Sequence, residues 1–135
     1  MPYQSNYDKF PFVPCGDADA CAVGWNKIAA SLQGAAVACV ECYPGVDVKT
    51  LEIELASRLK PSKLFRAEDA YKSVEDIRAM LKPLLGDDRV FGQMNSLTLD
   101  SWFDKNKLLQ LQTKIAEAAR NGSVLIVGTG AALLA

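Results

Sequence analysis

The feature that most constrains the fold of this chain is an alternation between two apolar patterns. Stretches with apolar residues three and four apart, the spacing of one helix face, are separated by short apolar runs bounded by turn residues. The first helix is expected over Asp19 to Gln33, with Trp25, Ile28 and Leu32 on one face and Gly34 ending it. A buried strand follows in the run Ala35 to Tyr43, broken by Pro44 and Gly45. Asp47 can cap a helix carrying Val48, Leu51, Leu55 and Leu59. Pro61 and Ser62 stop it, and Lys63 to Arg66 reads as a second strand. Ser73 with Asp76 resembles a capping box ahead of the stripe Val74, Ile77, Leu81 and Leu84, which Pro83 should kink or end.

A turn at Gly86, Asp87 and Asp88 leads to a weak strand candidate, Val90 to Met94. Leu97 to Phe103 is ambiguous, and Thr98 or Asp100 could cap the last long helix. That helix carries Leu108, Leu111, Ile115 and Ala118 and closes at Asn121-Gly122. Ser123 to Val127 is the clearest strand, apolar after its serine. Alternation of this kind predicts a layered α/β fold with a mainly parallel sheet and helices on both faces. Residues 1–16, with Tyr3, Tyr7, Phe10 and Phe12 among prolines, are expected as an extended arm, and 17–135 as the α/β domain. The chain ends on GTGAALLA, where a strand turns through glycines into an apolar helix start, so a truncated domain is expected.

Composition narrows the function. Lys plus Arg total 15 and Asp plus Glu 16, for a net charge of -1, which argues against nucleic-acid and polybasic membrane partners. No apolar stretch is long enough to span a bilayer, and the amino terminus has no signal-peptide pattern, so a soluble cytoplasmic protein is expected. Histidine is absent, which removes Ser-His-Asp and Cys-His catalysis, imidazole metal ligands and imidazole proton transfer from this chain.

Two loops are candidates for phosphate. Val37 to Leu51 has the strand–turn–helix order of a P-loop, with Gly45 in the turn and Lys49-Thr50 opening the helix. Tyr43 and Val48 stand at the two glycine positions of that motif, so a degenerate phosphate loop competes with an ordinary βα turn. Gly128, Thr129 and Gly130 follow the last strand, at the edge where α/β sheets take ligands. Leu133 occupies the sixth position of G-x-G-x-x-G, so the dinucleotide fingerprint is not met. Cys39 and Cys42 form a C-x-x-C inside the expected strand, where residues three apart point to opposite faces. They read, with Cys15 and Cys21, as buried free thiols in a reducing compartment. Glu68-Asp69 and Asp87-Asp88 could hold magnesium, though solvated turn residues fit the same pattern. Trp25 and Trp102 read as core or interface residues.

Several segments carry a resemblance: SNYDKFPFV, GWNKIAASL, VECYPGVD, DDRVFGQMNSLTLDSWFD and VLIVGTGAALLA. Together they resemble the amino-terminal domain of bacterial class I mannose-6-phosphate isomerase-like proteins. In those proteins a nucleoside-kinase-like α/β domain precedes a cupin-type region. The layout is also similar to uridine kinases, with Lys49-Thr50 at the P-loop position and Gly128 where an acidic residue usually stands. The missing P-loop glycines and the missing acid remove the phosphate cradle and the magnesium anchor of phosphoryl transfer. The resemblance implies an isomerase zinc site in the cupin region alone, so this chain is expected to hold no cofactor, metal or catalytic residue. It implies a carbohydrate-enzyme domain that binds a nucleotide or sugar phosphate through Gly45, Lys49, Thr50, Gly128, Thr129 and Gly130. The alternatives are a structural or dimerisation module, packing on a missing carboxy-terminal region or a second copy, and a small nucleoside kinase.

Overall fold

The computed structural model describes residues 14, 16, 17, 21–86 and 94–135. Most of the expected arm, Cys15, the Asp87-Asp88 pair and nearly all of the Val90–Met94 strand candidate lie outside them. Along the described residues run α1 (Trp25–Leu32), β1 (Val37–Glu41), α2 (Val48–Leu59), β2 (Lys63–Arg66), α3 (Val74–Leu85), α4 (Lys105–Ala119) and β3 (Val124–Gly128). Short 3-10 turns cover Ala67–Ala70, Leu99–Trp102 and Ala131–Leu134.

The strands form a parallel sheet in the order β1-β3-β2. Val124 to Gly128 are all buried in its centre. An apolar run without alternation is what a parallel strand covered on both faces requires. Side chains alternate across it. Val124 and Ile126 join one core with Phe103, Leu111, Ile115 and Leu134. Leu125 and Val127 join another with Ala29, Ala38 and Leu55, backed by Trp25, Ile28 and Leu51. Helices α1 and α2 therefore cover one face and α4 the other. The connections explain this. The crossover from β1 to β2 passes over β3 in one direction, and the return from β2 to β3 runs the opposite way. Two right-handed crossovers in opposite directions place their helices on opposite faces. The layered, parallel α/β expectation holds in this coarse form.

Several boundaries differ from the sequence reading. Helix α1 starts at Trp25 rather than Asp19, because Gly24 precedes it at φ 90, ψ 146, outside the helical region. Strand β1 is shorter than the apolar run, since β3 offers partners only from Val37↔Val124 to Glu41↔Gly128. It lies at an edge, and Ala38 is its only fully buried residue. Pro83 does not end α3, which continues for two more residues to Leu85; lying in the last turn, it removes one amide donor near the end of the helix rather than in its middle. Helix α4 is capped by Asp104, not Thr98 or Asp100. One Asp104 carboxylate oxygen accepts from the amides of Asn106 and Lys107, both at 2.9 Å. Thr98 and Asp100 belong instead to the preceding 3-10 turn. Ala131–Leu134 form a 3-10 turn in which Ala131 and Leu134 are buried and Ala132 is exposed.

Candidate functional site at the carboxyl end of the sheet

Parallel strands deliver the loops after β1, β2 and β3 to one rim. Gly45, Lys49 and Thr50 follow β1 there, and Gly128, Thr129 and Gly130 follow β3, so the two predicted loops share an edge of the sheet. Strand β1 leads to α2 on one face. Strand β3 leads to a 3-10 turn whose Ala131 and Leu134 sit in the core of the other face. Neighbouring strands whose loops part to opposite faces leave a crevice between them, the usual ligand position in open α/β sheets.

Here the chain's own groups close that crevice. The Glu41 carboxylate accepts from the Gly130 amide through one oxygen and from the Ala132 amide, at 3.1 Å, through the other. These are the free amides at the start of a helical turn that an anion would seek. The Thr129 hydroxyl donates to the Cys42 carbonyl at 2.6 Å, and the Cys42 amide donates to the Gly128 carbonyl at 3.2 Å. The Cys39 thiol donates to the Ala131 carbonyl at 3.2 Å, and the Tyr71 hydroxyl to the Thr129 carbonyl at 2.7 Å. Burial, then Glu41, pushes the Cys39 thiol up from its ordinary value. Burial likewise raises Tyr71, with Glu41, Glu68 and Cys42 adding to it against the Thr129 hydrogen bond. Both groups are held neutral, as donors to backbone carbonyls must be.

The loop after β1 is also self-contained. Asp47 accepts from the Thr50 amide at 3.0 Å and from its hydroxyl at 2.7 Å. Those bonds, the hydroxyl's first, hold the Asp47 carboxyl below the usual aspartate value. Asp47 is thus the cap of α2 and takes up both polar groups of Thr50, while Lys49 and Gly45 are exposed beside it.

At the end of β2, Arg66 donates to both oxygens of Glu52, from Nε at 2.6 Å and from a terminal nitrogen at 2.7 Å. Glu52 is the one charged side chain buried among the described residues. The fork geometry and the neighbouring negative charge, with Glu68 and Asp69 beyond it, raise the guanidinium value further. The sequence reading passed over Glu52. Its signal was present: it stands four residues after Val48 and three before Leu55, on the buried side of α2. Glu68 and Asp69 are exposed in the 3-10 turn, as solvated turn residues.

Among the described residues, no group of three or more His, Cys, Asp or Glu side chains is placed to hold a metal ion. Cys39 lies in β1 and is half-buried, Cys42 lies just past it and is buried, and Cys21 is exposed; all three are free thiols. The buried-thiol expectation therefore fails for Cys21, which precedes the first helix in exposed chain. A cavity of about 420 Å³ opens at the opposite, amino end of the sheet, lined by small and apolar residues including Gly34, Ala35, Leu59 and Gly122. It brings no charged side chain together. No helix of the described residues is long and apolar enough to cross a membrane.

A family model described as a domain of unknown function, DUF8485, matches residues 24–135. The chain belongs to this family. The match begins at Gly24, beside the first residue of α1, and takes in every element of the DUF8485 domain described above. No curated protein and no solved structure matches the chain.

Proposed function

We propose that the DUF8485 domain is a structural module that packs on other polypeptide, a second copy included, and carries out no phosphoryl transfer. The observation that supports this most directly is Glu41, whose carboxylate takes the Gly130 and Ala132 amides that a phosphate would need. A phosphate entering there would displace a carboxylate already hydrogen-bonded and would meet its negative charge. On the resemblance noted in the sequence, such a module would belong to a mannose-6-phosphate isomerase-like protein, whose zinc chemistry would lie in a cupin region.

A second reading, phosphate or nucleotide contact through Lys49, is favoured by one observation: Lys49 and the Gly128–Gly130 turn share the carboxyl rim of β1 and β3. Calorimetry separates the two. Titrating ATP, UTP and mannose 6-phosphate into the wild-type chain and into Lys49→Ala is expected to give no saturable heat with either. Saturable binding that Lys49→Ala abolishes would overturn the structural reading in favour of the second.

A further inference from the structure

We draw no further inference here: the strongest candidate, the outer edge of β1, which among the described residues pairs with β3 alone, has its one charged residue, Glu41, already bonded to the Gly130 and Ala132 amides, so nothing in the structure shows what covers it.

Discussion

Gly130 sits where three requirements meet. Its φ of 83° lies in the left-handed region, its amide donates to Glu41, and a Cβ there would stand 2.5 Å from the Phe103 ring. Phe103 cannot yield easily. It is 2% exposed and meets Tyr71 edge-on, ring centres 4.9 Å apart. Gly130→Ala is therefore expected to cost about 2–4 kcal/mol, combining left-handed backbone strain with overpacking. Urea unfolding measures it, and a loss under about 0.5 kcal/mol would mean that Phe103 relaxes freely. Asp47 makes a pH prediction. Its folded value is lowered by the Thr50 bonds, so the unfolded chain binds the proton more tightly. The cap's contribution is then fully present above the ordinary value of 3.8 and is lost as pH falls below it. Melting temperatures of wild type and Asp47→Ala should differ at neutral pH and converge toward pH 2. A gap that stays constant down to that pH would show that Asp47 acts without its charge.

Among the elements, the capping residues explain where helices begin better than the apolar stripes do. Asp47, Ser73 and Asp104 each accept from amides two or three positions ahead, and each helix starts at the next residue. Asp104 also ends an extended residue pair, because its amide donates to the Ala70 carbonyl at 2.9 Å next to the Tyr71↔Phe103 bridge. Asp104→Ala should cost about 0.5–2 kcal/mol, read from thermal or urea unfolding, and Asp104→Ser should recover most of it. If serine restores nothing, the side chain is doing something other than capping α4. The ambiguity of Leu97 to Phe103 has its cause here too. No helix-length stripe precedes Asp104, and the backbone bonds to residues 70–72, contacts that no local pattern announces.

Across the whole molecule, stability is unevenly spread. Strand β3 is buried along its full length and paired on both sides, while α3 joins neither core. Hydrogen exchange should place the β3 amides among the slowest, opening only with global unfolding, and those of α3 among the faster ones at low protein concentration. Equal protection in the two elements under monomeric conditions would contradict this order. The same unevenness frames the carboxyl rim. The position that takes ligands in open α/β sheets falls between β1 and β3, and there Glu41, Thr129 and Cys42 bond across from one strand end to the other.

Element type was legible in the amino-acid sequence because it depends on local spacing. The stripes of α2, α3 and α4, the cap at Asp47 and the run from Ser123 to Val127 all sit where periodicity puts them. The order of the strands, and with it the central place of β3, could be narrowed by the handedness of crossovers but was decided by which faces the helices cover. The candidate site was legible only as far as its edge. Sequence brought Lys49 and Gly128–Gly130 to the same rim, whereas the group that fills the turn, Glu41, lies 89 residues from Gly130 along the chain. Nothing in the spacing around either residue marks that pairing. It arises because β1 and β3 run side by side, and hydrogen bonds across strands depend on register in three dimensions rather than on neighbours in sequence.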